Sequence, residues 1–327
     1  MQCYSIWLNI AWLFTILQLM SRTPPYPINS ITEHRRILSL PGPDHPLIDV
    51  FRMEDVKYNS DERFRTLALN FYCISLKKKV SGKVIYGQGY YDFDEGLMSF
   101  FAPGQIVANV PENHKLEGWC VAFHPDFLRG CPLARKIGTY NFFSYAINEA
   151  LFLSEKEEAL MNGIVDNIRQ ELQTAIDGLT QEVMISHLEL LLHYSHRFYL
   201  RQFITRKPAH HQLITEVENL LNAYFNNDKQ LLSSGLPTVA YLADQLNKSP
   251  KYLSDLLRNL SGRSAQQHIQ DHLLEKAKWL LTSSDFTVAE IAYRLGFDYP
   301  QSFNKLFRRK TNQTPLEYRQ QNNQLKN

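Results

Sequence analysis

The chain has 327 residues, with 35 Lys and Arg against 33 Asp and Glu, and 44% of it is hydrophobic. That length suits about two globular domains, and the composition is that of an ordinary soluble protein. A net charge of +2 excludes a partner held by overall charge, so any attraction to a polyanion has to be local.

Residues 1–25 read as an apolar leader headed by MQCYSIWLNIAWLFTILQLM, with no Lys or Arg before Arg22. A secretory signal needs a basic start. A spanning helix needs about twenty apolar residues, and Asn9, Thr15 and Gln18 interrupt this one. Three readings stay open: translation starting at Met20, a membrane anchor, or a signal or other segment.

Residues 26–140 hold the strand signals. TLALNFYCISLK (66–77) is β-rich, with alternation at Leu67, Leu69 and Phe71. The stretch 84–107 is punctuated by Gly87, Gly89, Gly96 and Pro103-Gly104, as hairpins are. LEGWCVAFH (116–124) reads as one more strand, and short strands with frequent turns favour a barrel or a sandwich. Cys3, Cys73, Cys120 and Cys131 are scattered without CxxC or zinc spacing, which points to reduced thiols and a cytoplasmic location. Cys120 and Cys131 read as buried packing.

Residues 141–204 are helical in pattern. Met184, Leu188, Leu191, Ser195, Phe198 and Gln202 recur at alternating steps of four and three, the spacing of a helix–helix seam. Either the helix packs on its own domain, or Met184, Leu188, Leu191 and Phe198 form a dimer seam. Residues 205–212 contain Pro208 and read as a linker, 213–322 are helical throughout, and 323–327 are a tail.

The last helical region contains an internal repeat. TVAYLADQLNKSPKYLSDLLRNL (238–260) aligns with TVAEIAYRLGFDYPQSFNKLFRR (287–309). Leu242, Ala243 and Leu246 correspond to Ile291, Ala292 and Leu295, and Asn247 falls opposite Gly296. Asn and Gly both tolerate the positive φ of a sharp turn after a helix. Pro250 then matches Pro300, Leu253 matches Phe303 and Leu256-Leu257 match Leu306-Phe307. Each repeat is therefore helix, turn, helix. Its core is Leu242, Ala243, Leu246 and Leu253 in the first copy and Ile291, Ala292, Gly296, Phe303 and Phe307 in the second. The outward faces carry Lys251, Ser254 and Asp255, then Gln301, Ser302, Asn304 and Lys305. A helix of this kind fits the DNA major groove, where such side chains read base edges. Arg308, Arg309 and Lys310 have no acidic neighbour between Asp298 and Glu317. A solvated helix terminus would look the same, since cations complement the dipole there.

Over residues 239–319 the sequence resembles the AraC/XylS family of bacterial transcription regulators. The resemblance rests on Gly262 and Ser264, Ala277 to Leu281, Glu290 to Ala292, Gly296-Phe297, Phe303 to Phe307 and Thr314 to Arg319. DFDEGLMSFFAPGQ and RFYLRQFITR are similar to a subset of that family from Bacteroidetes. The resemblance implies an α+β chain. An N-terminal cupin-like β-barrel with flanking helices would precede an all-α domain of two helix-turn-helix motifs joined by a long linker helix. It implies base contacts from Lys251, Ser254, Asp255, Gln301, Ser302 and Lys305, and phosphate contacts from Arg258, Asn304, Arg308 and Arg309. The partners it implies are double-stranded DNA, a second copy of the chain, a small-molecule effector and RNA polymerase. Asp255 stands where many relatives are basic, His272 where arginine is common, and Asn312 where glycine is usual.

The expected function is a dimeric, sequence-specific DNA-binding transcription regulator with an N-terminal sensing domain. The alternative is a small-molecule- or partner-binding protein with a degenerate DNA module. Enzyme readings are weak. His34, His45, His114 and His124 contain no His-x-His pair, and His187, His193 and His196 fan around a helix. No nucleotide-binding, metalloprotease or nucleophile-elbow motif occurs. No metal site and no cofactor are expected. Tyr86, Tyr90, Tyr91, Phe93 and Phe100 are aromatic candidates for a sensing pocket.

Overall fold

A computed structural model describes residues 24–324 except 58–60, 65, 79–83, 87–88, 92–95, 109–116, 147–148, 176 and 206. The readings for residues 1–23 and for the last three residues lie outside the described residues. No helix among those described is long and apolar enough to cross a membrane. The chain divides into two units, Met1–Tyr199 and Leu200–Asn327.

In the first unit β1 (Tyr26–Ile28) leads into α1 (Ile31–Ile37), whose first turn is capped by Ser30 accepting from the Glu33 N–H. The strands that follow are β2 (Ile48–Arg52), β3 (Thr66–Leu69), β4 (Tyr72–Lys78), β5 (Val84–Tyr86), β6 (Gly89–Tyr91), β7 (Gly96–Phe101), β8 (Gln105–Ala108) and β9 (Glu117–Phe123). After a short helix α2 (Leu133–Lys136) comes β10 (Leu151–Leu153). Strand order is β1-β3-β8 in one sheet and β10-β7-β4-β9-β2 in a second, with β5 and β6 paired as a hairpin.

This divides one β-rich run and corrects one expectation. The β-rich run 66–77 is not one strand: it breaks at Asn70 and Phe71, sending β3 to the small sheet and β4 to the large one. The Asn70 N–H donates to Ile28 O at 3.0 Å, which pins the break. The expected cupin-like barrel is likewise not closed. Among the described residues no ladder joins the two sheets, because strands change sheets at corners such as Asn70 and Pro103-Gly104. Apolar residues of both sheets instead share one core, with Leu67, Leu69 and Ile28 meeting Phe51, Cys73, Cys120 and Ala122. The alternation at Leu67, Leu69 and Phe71 is as expected, for all three are buried. Residues 117–123 form the strand anticipated at 116–124. Cys131, expected to be buried, is only half-buried.

Helix α3 (Glu155–Leu172) starts on a capping box between Ser154 and Glu157. It buries Met161, Ile164, Val165 and Ile168, a single stripe at helical spacing. Asn162 on its flank accepts a hydrogen bond from Trp119 Nε1 at 2.8 Å, tying α3 to β9. Helix α4 (Thr180–Thr205) follows. Met184 is 1% exposed, and Leu188 and Leu191 are 0% exposed, with Phe198 also buried. The dimer-seam reading of these four residues is therefore corrected: the stripe is a core face of the chain itself and is closed to a second copy.

The second unit is all helix: α5 (Lys207–Phe225), α6 (Asp228–Ser234), α7 (Val239–Gln245), α8 (Pro250–Ser261), α9 (Ala265–Ser283), α10 (Val288–Arg294), α11 (Pro300–Thr311) and α12 (Pro315–Gln324). Residues 207–212, read as linker, are the start of α5. Pro208 sits in its first turn, where a missing N–H costs no intrahelical bond.

Candidate nucleic-acid interface

The two repeats fold alike. Thr238 caps α7 by accepting from the Tyr241 N–H at 3.1 Å, and Thr287 caps α10 by accepting from the Glu290 N–H at 3.2 Å. Glu290 completes a capping box, and the Thr287 N–H and O–H hold its carboxyl below the usual range. Both helices then end in the same closure. Lys248 N–H donates to Ala243 O at 2.8 Å, and Phe297 N–H to Ala292 O at 3.0 Å, the outer bond of a Schellman motif. The turn residues take the expected positive φ, 52° at Asn247 and 82° at Gly296. Helices α8 and α11 both stop on a left-handed residue, Gly262 and Asn312.

Leu242, Ala243, Leu253, Ile291, Ala292, Phe303 and Phe307 are all buried, as a shared core requires. Leu246 is half-buried, unlike its counterpart Leu295, which is fully enclosed. Phe307 stacks edge-on against Tyr318 with ring centroids 5.5 Å apart. Arg319 has a role that sequence spacing did not disclose. Its Nε donates to Leu281 O at 3.0 Å and its Nη2 to Phe286 O at 2.7 Å, so it ties α12 to the end of α9 and the following loop. His272, where relatives commonly carry arginine, keeps a polar link: its Nε2 lies 2.9 Å from Glu218 Oε2.

With those faces buried, α11 turns Gln301, Ser302, Asn304, Lys305, Arg308 and Arg309 outward, all exposed. No ion pair is formed by Lys305, Arg308 or Arg309 among the described residues. The same face of α8 differs. Lys251 and Arg258 are exposed, whereas Ser254 and Asp255 are half-buried. Arg258 Nη1 lies 3.2 Å from Asp255 Oδ1, so the acid and the expected phosphate cation answer each other. The positive potential of the unit is thus weighted towards α11.

The first unit holds a separate feature, a cavity of about 320 Å³ lined by Phe100, Phe142, Tyr145 and Tyr199 with Ser99 and Gln105. Of the aromatic candidates only Phe100 is there; Phe93 and the side chains of Tyr86, Tyr90 and Tyr91 lie outside the described residues. Three polar side chains of this lining are engaged within the protein. Ser99 shares a buried 2.7 Å hydrogen bond with Ser75, Gln105 Nε2 donates to Phe143 O, and Tyr199 O–H donates to Glu149 O. The described lining carries no charged side chain. The histidines of this unit hold local structure. Nδ1 of His45 and of His124 accept backbone N–H groups of Leu47 and Asp126, and His34 is buried between Phe51 and Phe71. His114 lies outside the described residues.

Comparison with known proteins agrees with the second unit. A family model described as a helix-turn-helix domain matches residues 242–321. The HTH-type transcriptional activator RhaS of Salmonella arizonae is 39% identical over 79 residues, 24% of this chain and 28% of that protein. The chain thus spans little more than a quarter of the curated relatives it matches. Among solved structures, the C-terminal domain of the response regulator yesN from Fusobacterium nucleatum is 26% identical. It covers 32% of this chain and 95% of that one, with a TM-score of 0.28. ToxT from Vibrio cholerae covers 83% of this chain and 97% of that one at 12% identity and a TM-score of 0.27. Both scores are too low to carry an argument. The repeat, its turns and the matched segment together make residues 242–321 a helix-turn-helix domain.

Proposed function

We propose that the chain is a sequence-specific DNA-binding transcription regulator whose α11 reads bases and whose α8 chiefly docks. The observation that carries this is the outer face of α11, where Gln301, Ser302, Asn304 and Lys305 stand exposed over buried Phe303 and Phe307. Lys suits guanine and Gln suits adenine in the major groove. Arg308 and Arg309 are phosphate cations. Similarity to a protein named as a transcriptional activator supports the same reading. The cavity beside Phe142 and Tyr199 is the proposed effector seat, and RNA polymerase is a proposed further partner.

Selection from a random duplex pool with residues 20–327 tests this. The expected result is one strongly enriched half-motif and a weaker one about a helical turn, 34 Å, away. Gln301→Ala and Lys305→Ala should each lower affinity for the enriched duplex by about tenfold and relax preference at a single base pair. Arg309→Ala should weaken all duplexes alike and reduce the salt slope by about one. Unchanged binding in all three variants favours the alternative, a ligand- or partner-binding protein with a degenerate DNA module.

Dimerisation, if it uses α4, needs a face other than the buried one. The stripe one residue earlier has the same four-three-four spacing: Val183, His187, Leu190 and Tyr194. Val183 is 37% and Leu190 42% exposed, and the other two are half-buried. This face is the proposed seam for a second copy. Leu190→Glu is expected to turn a dimer into a monomer in sedimentation velocity at micromolar concentration. A dimer that survives the substitution removes α4 from the interface.

A further inference from the structure

The four helix starts of the two motifs differ at one place. Thr238, Ser249 and Thr287 each accept a backbone N–H of their own first turn, as capping residues do. The fourth start is Tyr299, at the position that Ser249 holds in the first repeat, and its side chain makes no capping bond. Tyrosine cannot cap, and a helix start without a capping side chain loses stability. The fold recovers nothing visible for that loss. The Tyr299 side chain is 70% exposed, and among the described residues it has no ring contact or hydrogen bond. Its backbone is nonetheless well defined. Pro300 follows it and restricts it to extended conformations, and it sits at φ −132°, ψ 125°. A large amphipathic ring is thus held on a stiff backbone beside Gln301 and Ser302, at the end of the helix that docks first into a groove.

We infer that Tyr299 is a DNA contact of α11 whose phenol O–H donates to a backbone phosphate at the groove edge. Tyrosine is among the side chains that position proteins on phosphates. As a neutral donor it displaces no counterion, so it contributes affinity without adding to the salt slope. Helical period alone does not single it out, because it precedes the polar face of α11. The inference rests on the regulator reading proposed above.

Tyr299→Ser separates fold from contact, since serine restores the cap that Ser249 provides in the first repeat. The variant should melt about 2 °C or more above the wild type. It should bind the duplex enriched by the wild-type chain about tenfold more weakly, with sequence preference and salt slope unchanged. Tyr299→Phe should lose nearly as much affinity, because it keeps the ring and removes the donor. Tyr299→Ser binding within twofold of wild type overturns the contact while leaving the regulator reading intact. Full affinity in Tyr299→Phe overturns the phosphate bond. A wild-type chain that binds no duplex overturns both.

Discussion

Gly296→Ala is expected to cost the helix-turn-helix unit about 2–4 kcal/mol and to abolish the proposed DNA binding at physiological temperature. Two effects add. The residue holds φ at 82°, which a Cβ disfavours. A Cβ placed there would also lie 2.9 Å from Gly235 C, 3.0 Å from Gly235 Cα and 3.1 Å from Leu231 O. These are backbone atoms at the end of α6, so no side-chain rotation relieves the clash. Gly262→Ala is the control. Its φ is 73°, and nothing lies within 4 Å of the added carbon. It should cost only about 1 kcal/mol, the conformational share alone. Gly296→Asn sharpens the comparison, since asparagine tolerates the backbone but carries the same Cβ. It should be nearly as damaging as alanine. Urea unfolding followed by circular dichroism measures all three, and equal losses at Gly296 and Gly262 would refute the steric part.

The first unit should lose stability steeply on mild acidification, through one histidine. His34 sits in the core between Phe51 and Phe71, with ring centroids 5.7 and 5.1 Å away, and its Nδ1 has no hydrogen-bond partner. Burial, followed by the charge of Arg35, lowers its pKa to about 4. In the unfolded chain it titrates near 6.5. Between those values the unfolded chain binds the proton and the folded chain does not, so stability falls as pH drops from 6.5 towards 4. The full loss is about 3 kcal/mol. Asp49 acts in the opposite sense. Burial raises its pKa against the pull of Arg35, whose Nε is 3.1 Å from Asp49 Oδ2, so its share weakens as pH rises. Comparing wild type with His34→Leu cancels that contribution. The variant should be less acid-sensitive by about 2–3 kcal/mol between pH 7 and pH 4. Fluorescence of buried Trp119 during urea unfolding reports it. Parallel pH profiles would show that His34 does not titrate as described.

Much of the C-terminal unit was legible in the residues. The repeat located both motifs, and the Thr and Ser caps, the prolines and the positive-φ residues act within a turn or two of themselves. Such local signals survive in any context. The polar face of α11 was equally legible, because helical periodicity separates Phe303 and Phe307 from Gln301 and Lys305. The candidate site was less legible on α8. The pairing of Asp255 with Arg258 changes what that face offers, and spacing alone did not reveal it.

What the sequence by itself determined was therefore the type of each helix, its ends and the apolar side it turns inward, since these follow from backbone preferences and period. Tertiary structure alone decided questions that depend on residues far apart in the chain. It split 66–77 between two sheets through the bond from Asn70 to Ile28. It buried the Met184–Phe198 stripe within the chain and left the neighbouring Val183–Tyr194 face outward. It also decided why glycine stands at 296 while asparagine suffices at 247. Both positions need a positive φ, but only Gly296 has the backbone of Gly235 packed where a Cβ would be. The turn is written locally; the close approach exists only once α6 has folded against it.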